Sequence, residues 1–440
     1  MFASVGFAIF ALEEMAIDII WLSRAWWRRA FIYSKQVATT SATIPMSPES
    51  GRLAIFVPAW DESDVIAETL SHALRTYGDQ AFDIFVGCYP NDSATQEAVD
   101  RVLSPFVHKT LCSAPGPTTK ADCLNQLWRS AASIQAHKYK GIVLHDAEDI
   151  VSPAELAIFD AMLDRFDLVQ LPVVPFTDPS SRFIAGHYCD EFAEAHGKTM
   201  IVRECLGAGI PSAGVGCAIR WSALEVLAVA NGGMPFDVGS LTEDYELGIN
   251  LRAAGLKTVF VRIPTTDAPG IVATQAYFPA TLDTAVRQKT RWVLGIALAG
   301  WDRLGWGGAW GENWMRLRDR RAVVAAILLL AGYLAMVLYA LLLVADYFLD
   351  TDGKLFSPVF TTIMIFNTVA LVWRCIVRAY FVGRIYGAGE ALLSVIRLPI
   401  SNIIAMMAAR RAVLQYFAYL SVGTLRWDKT AHRIPDGMKK

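Results

Sequence analysis

GIVLHDAED, residues 141–149, is a short apolar run that ends in three acids. Four to eight apolar residues in succession, bounded by polar ones, fit a buried strand. Acids just past such a strand lie where open α/β sheets bind ligands, beyond the carboxyl ends of the strands. Upstream, RLAIFVPAW (52–60) and FDIFVGCYP (82–90) have the same form, and LVQLPVVPF (168–176) and KTVFVRIP (257–264) repeat it downstream. Between the first two, DESDVIAETLSHAL (61–74) sets Val65, Ile66, Leu70 and Leu74 at helical spacing. Strands alternating with helices predict an α/β domain with a mostly parallel sheet over residues 51–300. Neither GxGxxG nor GxxxxGK(S/T) occurs, so a dinucleotide site or a P-loop has no support.

Three polar clusters carry candidate chemistry. Asp146 and Glu148, at the strand exit, are hard oxygen donors suited to a divalent cation that keeps phosphates as co-ligands. Asp149 is a second candidate for the Glu148 role. The plain alternative is a helix start at Ser152-Pro153. In Thr242-Glu243-Asp244 a carboxylate could take a proton from a hydroxyl, or the three could simply open a helix with Thr242 as N-cap. In Gln288-Lys289-Thr290-Arg291-Trp292, helical spacing puts Gln288 and Arg291 on one face. Arg291 is suited to a diphosphate and Trp292 to a sugar ring, although a surface Arg beside an interfacial Trp is the commoner fate of such a pair.

The rest of the chain points to a membrane. Charged residues are 19% of 440 and hydrophobic ones 54%, against about 25% charged in soluble proteins. Residues 322–345 carry no charge and exceed the ~20 residues of a spanning helix. Residues 358–381 form a second span, with Arg374 and Arg378 near its end expected to snorkel to the interface. Residues 1–30 are apolar but contain Glu13, Glu14 and Asp18. A signal peptide would need a basic leading region. An amphipathic interfacial helix stays open, and the preferred reading is a span whose acids face protein. Basic flanks at Arg24, Arg28 and Arg29, at RLRDRR (316–321) and at Arg384 put residues 28–320 in the cytoplasm and the acidic 346–357 loop outside. Residues 31–50 read as a linker. Residues 301–321, with four Trp, read as an interfacial connector. Residues 385–440, which hold Arg397, Pro399 and Asn402 and then Arg410, Arg411, Arg426, Lys429, Lys439 and Lys440, read as interfacial or re-entrant. A net charge of −2 gives no field for nucleic acid. The seven Cys are odd in number and form no CxxC, which argues against a disulfide framework or zinc site.

Taken in order, DAED, TED and QKTRW resemble the motifs of the processive family-2 glycosyltransferases, the class of cellulose, chitin and hyaluronan synthases. QKTRW lies about thirty residues before the charge-free span, as in that class. VPAWDES (57–63) resembles the family's PxYNE opening, with Trp60 and Asp61 substituted and Glu62 kept. Thr119-Lys120-Ala121-Asp122 through Asn125 resembles its KAxALN segment, and Gly214-Val215-Gly216-Cys217 its acceptor-side glycine loop. VPAWDE, FVGCYPNDSAT, HDAEDIVSP, LTEDYELG, RQKTRW and RWDKTAHRIP resemble, more narrowly, the bacteriophage N4 adsorption protein B family of bacterial inner-membrane glycosyltransferases.

The resemblance implies a GT-A fold and inverting transfer of a hexosyl or N-acetylhexosaminyl group. The donor would be a nucleoside diphosphate sugar, preferably UDP-linked, and the acceptor a growing exopolysaccharide or surface glycan. It implies Mg²⁺ or Mn²⁺ on Asp146 and Glu148, and a donor held by Glu62, Asn91, Asp92 and Lys120. Asp244 would be the base beside Glu243, Arg291 would meet the diphosphate, and Gln288 and Trp292 the acceptor. Asn91 and Asp92 enter because Pro90-Asn91-Asp92-Ser93 stands where the family has DDGS. His72, His108, His187 and His196 match nothing in the pattern and read as structural or surface residues. The implied setting is the bacterial inner membrane, multi-pass, with a cytoplasmic catalytic domain and export or outer-membrane partner proteins. The alternatives are a single-sugar transferase acting on a lipid carrier, and a non-catalytic scaffold or phage-receptor component.

Overall fold

A computed structural model describes residues 1–136, 138–266, 270–349 and 356–422. The first helix, α1 (Phe2–Phe31), precedes a seven-stranded sheet. The sheet is built from β1 (Arg52–Pro58), β2 (Phe82–Cys88), β3 (Val107–Leu111), β4 (Tyr139–Leu144), β5 (Leu168–Gln170), β6 (Cys217–Arg220) and β7 (Thr258–Phe260). Their spatial order is β3-β2-β1-β4-β6-β5-β7; only β6 runs antiparallel to its neighbours. The mostly parallel α/β domain expected from the sequence is therefore present.

Alternation along β1 explains the two layers. Leu53, Ile55 and Val57 face one side, where they pack with α2 (Ile66–Tyr77), α3 (Ser93–Asp100) and α5 (Glu155–Leu163). Ala54 and Phe56 face the other, against α4 (Lys120–Ala132) and α8 (Trp221–Ala230), with α9 (Glu243–Ala253) behind them. Parallel strands covered on both faces read as continuous apolar runs, which is why β1, β2 and β4 stand out in the sequence. LVQLPVVPF yields only the three residues of β5, because Pro172 and Pro175 cannot donate to a ladder. VHKTL and CAIR, which form β3 and β6, carry no such run. Phe159 is fully buried, and truncating such a ring to Ala costs about 3–5 kcal/mol.

A single helical rod follows β5, made of α6 (Ile184–Glu194), a π-turn (Ala195–Thr199) and α7 (Met200–Cys205). After β7 come α10 (Leu282–Trp292), a second π-turn (Val293–Leu298), α11 (Ala299–Leu304) and α12 (Trp310–Arg320). Then come α13 (Ala322–Leu349), α14 (Pro358–Tyr386), α15 (Ala388–Ile396) and α16 (Leu398–Val422). Among the described residues two helices are long and apolar enough to cross a membrane, Ala322–Phe348 and Pro358–Tyr386, with mean hydropathies of 2.6 and 1.7. The helices α15 and α16 qualify only as a pair bent by 53°.

The acids of α1 do face protein. Glu13 and Glu14 pair with Arg318 and Arg321, and Asp18 with Lys198. The snorkelling expected of Arg374 and Arg378 is not what occurs. Arg374 pairs with Glu194 and Arg378 with Asp190, because α6 lies alongside and offers buried carboxylates that need a counter-charge. Residues 350–355 of the acidic loop, and the tail with Arg426, Lys429, Lys439 and Lys440, lie outside the described residues.

Candidate active site

Beyond the carboxyl ends of β1 and β4 lies a cleft of about 460 Å³, walled by the starts of α4 and α9 and by one side of α10. Glu62, Lys120, Asp146, Glu148, Glu243, Asp244, Gln288, Arg291 and Trp292 all line it. Residues spread over 230 positions of sequence thus meet at one point of the sheet, where open α/β folds bind ligands.

The turn after β4 sorts the three acids of DAED. Asp149 is nearly fully buried and accepts hydrogen bonds from the Asp146 amide at 2.8 Å and from His145 Nδ1 at 3.1 Å. His145 Nε2 meets Glu155 at 2.6 Å. Burial opposes a charged imidazole there, but Glu155 and Asp149 outweigh it and lift the His145 pKa to about 10. Asp149 borders the cleft as well but spends its carboxylate on this buried cluster, which leaves Asp146 and Glu148 as the better-placed pair. No group of three or more His, Cys, Asp or Glu suited to a metal occurs among the described residues. Two carboxylates beside an open cleft still fit a Mg²⁺-type ion, which usually takes one or two protein carboxylates and fills its shell with water and phosphate oxygens.

Thr119 caps α4, accepting from Asp122 N at 3.2 Å, and so sets Lys120 at the rim. The Lys120 ammonium reaches Asp146 Oδ1 at 2.6 Å and the Gly214 carbonyl at 3.2 Å. Burial alone would lower its pKa; Asp146, Glu243 and Asp244 together hold it above the ordinary lysine value.

Thr242 stands at the N-cap of α9, but its side chain makes no capping bond. Burial, and then the charge of Asp244, push the Glu243 carboxyl up to about 7. Asp244 is also raised, chiefly by burial, against the pull of Lys120. Its Oδ1 accepts from Tyr245 N at 2.7 Å. Gly214 has φ +74°, and a Cβ there would lie 2.6 Å from Asp244 Oδ2. Only glycine permits both that backbone and that approach.

Thr281 and Thr284 form a capping box that starts α10. Gln288 Oε1 is buried and has no partner among the described residues. Trp292 meets Tyr188 and Phe192 edge to face, at 5.9 and 6.4 Å. Lys289 turns away to Glu191 at 2.5 Å. Gly295, in the π-turn that follows, sits against Thr242, where a Cβ would come within 2.5 Å of its methyl. The turn that follows QKTRW therefore rests on the first residue of TED.

Two of the expected donor residues are not in the cleft wall. Asn91 clasps Gly116 through two hydrogen bonds of 2.7 and 2.8 Å. Asp92 caps α3 and accepts from Asp61 N at 2.6 Å. They shape the two loops and leave the lining to Trp60, Tyr89 and Thr118. Trp60 meets Tyr89 edge to face at 5.3 Å, and Tyr89 OH lies 2.9 Å from Thr118 Oγ1. Aromatic residues directly after β1 and β2 were the available signal. His72, His108, His187 and His196 all lie outside the cleft lining.

The family model described as "Glycosyltransferase like family 2" matches residues 49–295. The chain is 36% identical to bacteriophage adsorption protein B of Escherichia coli K12, across 97% of this chain and 60% of that protein. Bacteriophage N4 adsorption protein B of Escherichia coli O157:H7 gives the same figures. The chain thus spans about 60% of the length of these relatives. A mannosyltransferase from Pyrobaculum calidifontis, solved with GDP-Man and Mn²⁺, superposes with a TM-score of 0.52 at 18% identity, covering 94% of this chain and 98% of its own. That likeness speaks for the fold alone, which is the GT-A fold. With the domain match covering over half of its length, the chain belongs to the family 2 glycosyltransferases.

Proposed function

We propose that the chain transfers a hexosyl or N-acetylhexosaminyl group, with inversion, from a UDP-sugar to a growing exopolysaccharide or surface glycan. The observation that carries this reading is the seating of Asp244. It lies against Gly214, in the same cleft as Asp146 and Glu148 and facing Arg291. Trp60, Glu62, Tyr89 and Thr118 hold the nucleoside end, with Asn91 and Asp92 shaping its loops. Asp146 and Glu148 would hold Mg²⁺ or Mn²⁺, which neutralises diphosphate charge. Asp244 accepts the proton of the acceptor hydroxyl. The freed oxygen attacks C1 on the face opposite the diphosphate, and the bond from C1 to the diphosphate breaks. Lys120 and Arg291 stabilise the charge that appears there, the kind of preorganised electrostatics that dominates many rate enhancements. Glu243 tunes Asp244. Gln288 offers its unpartnered oxygen to a sugar hydroxyl, and Trp292 a flat face.

The proposed setting is the bacterial inner membrane, with the catalytic domain (51–300) cytoplasmic. Residues 322–345 and 358–381 span, 1–30 enters beside them, 31–50 links, and 301–321 and 385–440 lie at the interface. A lipid-linked acceptor is the second reading. It is supported by α10 resting on α16, through Thr290 and the Ala408 carbonyl at 3.4 Å. Export or outer-membrane proteins would receive the product. A non-catalytic scaffold or phage-receptor role would leave these side chains without use.

The test is nucleotide release by purified protein in lipid, given UDP- and GDP-sugars with Mg²⁺ or Mn²⁺ and a glycan or lipid extract. Release from one UDP-sugar, lost in Asp244→Asn, is the expected result. Release from a GDP-sugar alone would overturn the base preference, and undiminished turnover in Asp244→Asn the assignment of the base.

A further inference from the structure

The run RLRDRR reads as a basic flank, yet it contains one acid, Asp319. In the fold this acid is not spent on the surface. Arg203, 2% exposed, holds it through two bonds from Nη1, at 2.8 and 3.0 Å. The Tyr245 hydroxyl donates to its Oδ2 at 2.7 Å. Tyr245 is the residue after Asp244, in the first turn of α9.

More of α12 grips the same region. Glu312 accepts from the Gly209 amide at 2.7 Å, while Arg203 Nε donates to the Gly209 carbonyl at 2.6 Å. The helix α9 lies directly on that loop: a Cβ on Gly248 would come within 1.9 Å of the Ile210 carbonyl. The next residue of α9 outward, Glu246, is held by Arg303 of α11 at 2.9 Å. α12 then passes through Arg321 into α13, whose residues 322–345 carry no charge.

We propose that Asp319 is a positioning residue. Through Tyr245 it fixes the height of the first turn of α9, so that the helix entering the membrane holds Asp244 at the acceptor. The inference rests on the reading of Asp244 as the base. A charged acceptor for a buried hydroxyl, its two oxygens bridged by one guanidinium nitrogen of Arg203, makes a hydrogen bond stronger than a neutral one. Misplacing a reacting group by about 1 Å can cost on the order of a hundredfold in rate.

The test uses the full chain in lipid. Tyr245→Phe removes only the hydroxyl, and Asp319→Asn only the charge. Turnover is normalised to the number of donor-binding sites, measured with the donor in Asp244→Asn as the inactive reference. The expected result is a fall in kcat of about tenfold or more in each variant, with donor KM and site count unchanged. The double variant should be no worse than Asp319→Asn, since the two act on one contact. A wild-type kcat in Tyr245→Phe would overturn the proposal. So would a loss that appears only as fewer binding sites, or one that is additive in the double variant. If Asp244→Asn itself turns over, the base assignment has failed instead, and the two failures stay distinct.

Discussion

Gly214 and Asp244 give the sharpest consequence of the geometry. Alanine at 214 must adopt a left-handed backbone, at a cost of about 1–2 kcal/mol, and must push the Asp244 carboxylate aside. Gly214→Ala should lower kcat by about a hundredfold, while equilibrium donor binding changes little; unaltered turnover would mean that Asp244 does not act from this position. Glu243 carries a pH signature. An ordinary Glu ionises near 4.5, and in the fold this one keeps its proton up to about 7. Between those values the native state binds more protons than the unfolded chain, so stability falls as pH rises through the window. Glu243→Gln removes that penalty. Its melting temperature should exceed that of the parent at pH 8, with the gap closing toward pH 4; a variant no more stable at pH 8 would refute the raised pKa. Asp146, Glu148, Asp244, Gln288, Arg291 and Trp292, each picked out by a local motif, line one cleft. The His145 cluster with Asp149 and Glu155 had no motif to announce it, and Asn91 and Asp92, expected at the donor, bond to neighbouring loops outside the cleft lining. Which side of a loop faces a cleft is set by the packing of distant segments, as when Asp92 reaches Asp61.

The element that owes most to tertiary context is α1. By composition it is an awkward span, since three acids interrupt it. In the fold these acids belong to a charge lattice with Lys198, Arg318 and Arg321. Lys198, fully buried in the π-turn of the rod after β5, meets Asp18 at 2.6 Å and Glu194 at 2.8 Å. Trp373 of α14 donates to the other Asp18 oxygen at 2.8 Å. Removing one member of such a lattice leaves uncompensated charge, typically about 3–5 kcal/mol. Lys198→Met should therefore lower the thermal midpoint in detergent strongly, and adding Asp18→Asn should restore part of it. A Met variant as stable as the parent would show that α1 is held by its apolar contacts alone. The sequence allowed the acids to be placed against protein, but it could not say which protein. Arg374 and Arg378 were misjudged for the same reason: their partners, Glu194 and Asp190, lie some 180 positions away. The strands β3 and β6 were lost because a half-exposed edge and a four-residue strand leave no apolar run to detect.

For the molecule as a whole, α16 bears on the reading of residues 385–440 as interfacial. Length and composition admit α15 and α16 as one bent span. Packing argues otherwise. One side of α16 is committed to the catalytic domain: Ile404 joins Tyr188, Ala285 and Val286 in a core cluster, and Ala408 and Ala412 are fully buried. Tyr416 donates to Asp302 farther along. The opposite side exposes Ile403, Met407, Leu414, Phe417 and Leu420, with exposed Arg410 in the middle of the stripe. An apolar face broken by one arginine suits the headgroup layer, where a cation is at home, and not the hydrocarbon centre, where it costs at least about 2.5 kcal/mol. The helix should therefore lie along the membrane surface beneath the cleft. On this reading, a green fluorescent protein fused after residue 422 should fluoresce, and alkaline phosphatase at the same place should stay inactive, because both would sit on the side of the catalytic domain. The reverse pair of results would make α15 and α16 a true crossing, and would remove the surface on which α10 and its QKTRW motif rest.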